Sequence, residues 1–114
     1  MIGFDPLWFA TSVTFAAPSG PNASQRGGAV LDRNAPGTVV KAYVEPTSAQ
    51  AVRSEAMQVP QGSQLYAVYT PSDPAVRVDS RADWDGLTCR VLARPARASL
   101  NGMQLWRTWC VDVS

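Results

Sequence analysis

Apolar and polar positions alternate along most of the chain with a period of two, the signature of half-buried strands. "SVTFAA" (12–17) reads as a short strand, and "TVVKAYVE" (38–45), rich in β-branched and aromatic residues, as a second. "SQLYAVYT" (63–70) puts Leu65, Ala67 and Tyr69 on one face and Tyr66, Val68 and Thr70 on the other. "AVRVDSRADW" (75–84) and "LTCRVLAR" (87–94) flank an Asp-Gly pair, and "MQLWRTWCVDV" (103–113) supplies a last strand. About six strands joined mostly by short turns predict a mainly β domain. The expected fold is a small six-stranded antiparallel β-barrel or sandwich.

The Asp85-Gly86 pair predicts a two-residue type I′ turn, with positive φ at both residues. The register then sets Trp84 opposite Leu87, Ala82 opposite Cys89, Ser80 opposite Val91 and Val78 opposite Ala93, on a face that belongs in the core. Asp83 and Thr88 share the other face, which points Arg77, Asp79, Arg90 and Arg94 towards solvent or a partner. Arg81 faces Arg90 there, and Asp79 and Asp83 are the diagonal neighbours that offset the repulsion. Trp84, Asp85 and Gly86 therefore read as an architectural turn. The final strand is expected to pair with strand 87–94 across the loop "RPARASLNG", which brings Cys89 and Cys110 near each other as two buried thiols.

Two segments interrupt the alternation. Residues 16–37 are loaded with Gly, Pro, Ser and Asn, and read either as a flexible surface loop or as a segment that orders against a partner. In "PTSAQAVRSEAMQVPQG" (46–62), Thr47 or Ser48 caps a short helix with Ala49, Val52, Ala56 and Met57 at helical spacing, stopped by Pro60 and Gly62. That helix is expected to dock across one barrel end.

At 114 residues the chain is one domain, 1–114, with an apolar arm at 1–11. Hydrophobic residues make up 46% of it, which excludes a wholly disordered protein. The net charge is +1, with four basic and four acidic groups in 1–57 and six and five in 58–114. That balance argues against a dedicated nucleic-acid binder. No secretion signal or membrane span is legible, so the chain reads as cytoplasmic with reduced thiols, and the sequon at Asn22 as a polar loop.

Histidine is absent, which removes the commonest general base and zinc ligand. Lys41 is the only lysine, and "RGGAV" lacks the phosphate-loop pattern. Asp73, Asp79, Asp83 and Asp85 match no calcium loop and sit among arginines that ion pairing satisfies. No catalytic residue, metal site or cofactor is therefore assigned, and the expected class is not an enzyme. Two features remain. Arg94-Pro95-Ala96-Arg97, placed at the tip of the last hairpin, suits phosphate, a carboxylate-rich partner or water. Phe4, Leu7, Trp8 and Phe9 form an aromatic arm that packs on the chain's own core or anchors on a neighbouring subunit.

From residue 38 the order of features resembles the small head-closure (head–tail joining, or stopper) proteins of tailed bacteriophages. The features are a strand ending in "YVEPTS", a helix-like stretch, "QLYAVYT", then Trp84-Asp85-Gly86-Leu87-Thr88-Cys89-Arg90-Val91, a loop and a long last strand. Cys89 stands where a tyrosine is common in that family. The resemblance covers residues 38–113 and implies a small barrel with a short helix. It implies a structural virion protein that forms a homo-oligomeric ring in the phage neck. That ring would close the DNA-filled head below the portal or adaptor and dock the tail-tube or tail-terminator protein. Phe4, Leu7, Trp8 and Phe9 are then subunit-interface candidates, and Arg90, Arg94 and Arg97 face the channel, with its packaged DNA, or a partner. The alternatives are a tail-terminator or head–tail adaptor subunit, and a nucleic-acid-binding β-barrel that stacks bases on its tryptophans.

Overall fold

The protein is seen in a computed structural model that describes residues 9–17, 37–48 and 64–113. Seven strands fill these residues: β1 (Thr11–Ala16), β2 (Thr38–Thr47), β3 (Leu65–Thr70), β4 (Arg81–Trp84), β5 (Leu87–Val91), β6 (Ala96–Leu100) and β7 (Met103–Asp112). All pairings are antiparallel, in the order β3-β2-β1-β4-β5-β7-β6, and β3 also pairs with β7. Six strands thus close into a barrel and β6 hangs on β7 as an extra strand. No α-helix occurs among the described residues.

Closure depends on two ten-residue strands that change partners along their length. β2 pairs with β1 through Thr38–Ala42 and with β3 through Tyr43–Thr47. Pro46, which has no N–H to donate, lies in the half that pairs with β3 and not with β1. β7 receives β3 along one edge through Trp106–Val111. Along its other edge it receives β6 (Met103–Arg107) and then β5 (Cys110–Asp112).

The strand alternation supports two apolar layers. Inside the barrel, Val13, Phe15, Ala42, Val68, Ala82, Trp84, Cys89, Val91 and Cys110 form one buried cluster. Trp84 meets Tyr66 edge-on at 5.3 Å between ring centroids, an arrangement favoured by the ring quadrupoles. A second cluster lies on the outer face of β3 and β7, made by Leu65, Ala67, Tyr69, Leu105, Trp109 and Val111 with Phe9. Each fully buried Leu or Val contributes about 1.5–3 kcal/mol. Both faces of β3 and β7 are therefore apolar, unlike the one-sided strands β1 and β2.

The Asp85-Gly86 turn and its register are as expected: φ is +49° and +80°, with Trp84 opposite Leu87, Ala82 opposite Cys89, Asp83 opposite Thr88 and Arg81 opposite Arg90. β5 and β7 do pair, Val91 with Cys110 and Cys89 with Asp112, and both cysteines are free thiols in the barrel interior.

Four expectations are corrected. The strand expected over 75–84 begins only at Arg81. Asp79 at φ +70° donates to the Val91 carbonyl in place of Ser80, a bulge that turns the chain out of the sheet and leaves Val78 exposed instead of in the core. The loop expected over 94–102 contains β6, joined to β7 by a second type I′ turn at Asn101-Gly102 (φ +51° and +81°). Arg94 and Arg97 consequently stand at the foot of that hairpin, not at its tip. Arg81 is buried although it shares a face with Arg90, and its Nε pairs with Asp83. Of the expected helix at 46–62, Pro46 and Thr47 belong to β2 and residues 49–62 lie outside the described residues, as do 18–36 of the expected loop.

Candidate functional site

One barrel end gathers most of the exposed chemistry. It is formed by the C-terminal ends of β1, β3 and β5, the first residue of β2, and the segments 71–80 and 92–95. Segment 71–80 is held by short-range hydrogen bonds. Thr70 Oγ1 donates to the Ser72 carbonyl (2.8 Å), the Ala75 N–H to Asp73 Oδ1 (2.8 Å), and the Arg77 N–H to Ser80 Oγ (3.1 Å). The Ser80 N–H returns to the Arg77 carbonyl (3.2 Å), and the Val91 N–H ties Ser80 to β5 (2.9 Å). Ala75 sits at φ +56°, where an L-residue with a Cβ loses about 1–2 kcal/mol. Such strain persists only where its surroundings hold it, and it concentrates at functional positions.

This ordered loop divides two clefts. One, of about 240 Å³, lies between the loop and β1, with Phe15, Thr38, Pro74 and Ser80 among its walls. The other, of about 270 Å³, opens between Asp73, Arg77, Arg94 and Pro95. Arg77 borders both. Arg77, Arg94 and Arg97 are exposed and none has an ion-pair partner among the described residues. Arg97 lies over the Trp106 ring, 5.3 Å from its centroid, which leaves its guanidinium edge open to an acceptor. Guanidinium groups without an ion-pair partner among the described residues suit phosphate or carboxylate groups.

Arg90 does not join them. It is half-buried on the barrel side, with its Nε 3.7 Å from Asp79 Oδ1. Phe9 packs in the outer apolar cluster at 7% exposure, so this member of the aromatic arm lies on the chain's own core. Phe4, Leu7 and Trp8 lie outside the described residues. Trp84, Asp85 and Gly86 stand at the opposite barrel end from the arginines, in the turn already described.

A second polar group, with no motif to announce it in the sequence, lies on the flank. Tyr43 on β2, Tyr69 on β3 and Arg107 on β7 are consecutive cross-strand neighbours. The two tyrosine rings stack at 5.9 Å and both hydroxyls donate to Glu45, at 3.1 Å from Tyr43 and 3.4 Å from Tyr69. The Arg107 guanidinium covers Trp109 at 4.3 Å. The hydrogen bond to Glu45 raises the Tyr43 hydroxyl above its ordinary pKa, and burial followed by Glu45 raises Tyr69, with Arg107 opposing. These phenols stay protonated at neutral pH and act as hydrogen-bond donors. The period-two pattern was the available signal: Tyr43, Glu45, Tyr69, Arg107 and Trp109 all fall on outward-facing odd positions.

The thiols offer no nucleophile at neutral pH. Burial, with Asp112 and Asp83 adding to it, pushes Cys89 up to about 12, and burial beside Cys89 pushes Cys110 well above its ordinary range. No group of three or more Cys, Asp or Glu side chains among the described residues is placed to hold a metal ion. Comparison of the chain with protein-family models and with curated proteins returns no match.

Proposed function

We propose that this protein is a structural subunit of the tailed-phage neck, forming a ring that closes the filled head and docks the tail. The observation that carries the reading is the element order from residue 38. A strand ending in "YVEPT", the strand "LYAVYT", the Trp84–Leu87 hairpin and a long last strand close into one small barrel. These are the strands of the head-closure resemblance; its helix-like stretch lies outside the described residues, and β6 stands where it has a loop. The division of the surface supports it further. The barrel end with Arg77, Arg94 and Arg97 suits a phosphate-rich channel or an acidic neighbour. On this reading the protein works by shape and contact and needs no cofactor.

Disruption of the gene in its phage tests this. The neck reading expects DNA-filled heads that leak their genome and carry no tails, alongside free tails of normal length. Normal plaque formation without the protein, or tails of irregular length, would move the function elsewhere, the latter to a tail terminator.

A second reading, a nucleic-acid-binding barrel, draws on the three unpaired arginines. It expects single-stranded oligonucleotides to bind at low salt, weakened by Arg94→Ala and Arg97→Ala and lost as ionic strength rises. No retardation at low salt would dispose of it.

A further inference from the structure

Among the described strands, β6 is the one at which the sheet stops. Its inner edge is fully used by β7, with Ala96 opposite Arg107, Ala98 opposite Leu105 and Leu100 opposite Met103. In an antiparallel pair, successive residues direct their N–H and C=O alternately to one side and the other. The Trp109 carbonyl accepts from Leu92 on this same edge of β7, so odd-numbered β7 residues bond towards β6 and even-numbered β6 residues bond back. Arg97 and Ser99 are therefore left with both backbone groups pointing away from the barrel. Both residues are exposed, and among the described residues no further hydrogen bond reaches either.

The two faces of this free edge differ. Ala98 and Leu100 extend the outer apolar cluster to the edge, whereas the opposite face carries Arg97 lying over Trp106. Charge selects the occupant. The stretch 94–107 that forms the hairpin and its foot holds Arg94, Arg97 and Arg107 and no carboxylate. A second copy laid edge to edge would set two such stretches against each other, and arginine on an edge strand disfavours that pairing.

We propose that the β6 edge takes up an extended segment of a partner protein as an eighth strand, one that alternates apolar with acidic side chains. The segment's backbone would pair with Arg97 and Ser99, its apolar residues would continue the layer of Ala98 and Leu100, and its carboxylates would reach Arg97 and Arg94. This is recognition by strand addition, with the main chain giving affinity and alternate side chains giving specificity. The inference does not depend on the neck assignment.

The test uses the full chain, labelled with ¹⁵N, and capped octapeptides alternating valine with glutamate or valine with lysine. The glutamate peptide should slow amide exchange at Arg97 and Ser99 at least tenfold and bind at least tenfold more tightly than the lysine peptide. Ser99→Pro removes an outward N–H, which an edge strand tolerates, and should cut binding at least tenfold with the other amide signals unchanged. Arg97→Glu, which keeps every backbone group, should reverse the preference between the two peptides. Equal binding of both peptides would overturn the proposal, as would unchanged exchange at the two amides in millimolar peptide. Self-association of the chain that Ser99→Pro abolishes would overturn it in favour of a second copy.

Discussion

Arg81 and Asp83, two residues apart on β4, form an ion pair with Nε 2.7 Å from Oδ2 on the outside of the barrel wall. The arginine side chain is only 7% exposed and the carboxylate 32%. Directly opposite on β5 stands Arg90, which leans the other way, towards Asp79. Two arginines that face each other across a strand pair are thus each turned to an acid on β4 or just before it. Their mutual repulsion is met locally.

Removing the carboxylate leaves a buried guanidinium without that charge partner. Asp83→Asn should cost about 2–3 kcal/mol, below the full cost of breaking a completely buried pair because Asp83 is partly solvated. Urea unfolding at neutral pH measures this. Asp79→Asn, whose pair is longer and more exposed, should cost less than about 1 kcal/mol.

Thr108 lies inside the barrel at 0% exposure, and its Oγ1 has no hydrogen-bond partner among the described residues. A buried hydroxyl without a partner is penalised by its lost hydration. Thr108→Val keeps the β-branched shape and should raise stability by about 1 kcal/mol in thermal or urea unfolding. A loss of stability would mean that the hydroxyl is satisfied in solution.

The two type I′ turns should respond alike. A Cβ at Gly86 or Gly102 meets nothing within 4 Å, so the cost of Gly86→Ala or Gly102→Ala is that of the positive φ alone, about 1–2 kcal/mol. Gly86→Val should cost more, since a branched residue resists this conformation further. If Gly86→Val shifts the register of β4, Ala82 would leave the interior and near-ultraviolet circular dichroism of Trp84 would collapse.

The buried thiols give the fold an alkaline limit. Cys89 is raised from 9.0 to about 12 in the folded chain, and Cys110 is raised as well. The unfolded chain ionises first, so this contribution to stability is complete below about pH 9 and is lost as pH rises towards 12. Raised Tyr43, Tyr66 and Tyr69 act with the same sign above pH 10. The urea midpoint should fall between pH 8.5 and 10.5, less steeply in Cys89→Ala. Thiol reagents at pH 8 should label the unfolded chain only.

Turn chemistry and period-two alternation made the barrel legible, because Asp85-Gly86 alone dictates which residues of β4 face the core. Asn101-Gly102 carries the same chemistry. The strand before it, "ARASL", is short and only weakly apolar, so the stretch reads as a loop. Ala75 has no side-chain preference that announces a positive φ, so the clefts around segment 71–80 were invisible in the sequence. On β3 and β7 both faces are apolar, and alternation cannot say which one lines the barrel. The outer layer, with Tyr43, Glu45, Tyr69 and Arg107 at its margin, needed the closed sheet to appear. Arg81 and Asp83 alternate as a solvated face would, and their packing against each other is a tertiary fact.

The neck assignment is tested most directly by locating the protein in virions. Particles assembled with an epitope-tagged chain should bind antibody at the head–tail junction, and a reconstruction should show this barrel repeated as a ring there. Particles that lack the chain by mass spectrometry, together with purified protein that remains monomeric at every concentration, would contradict the assignment.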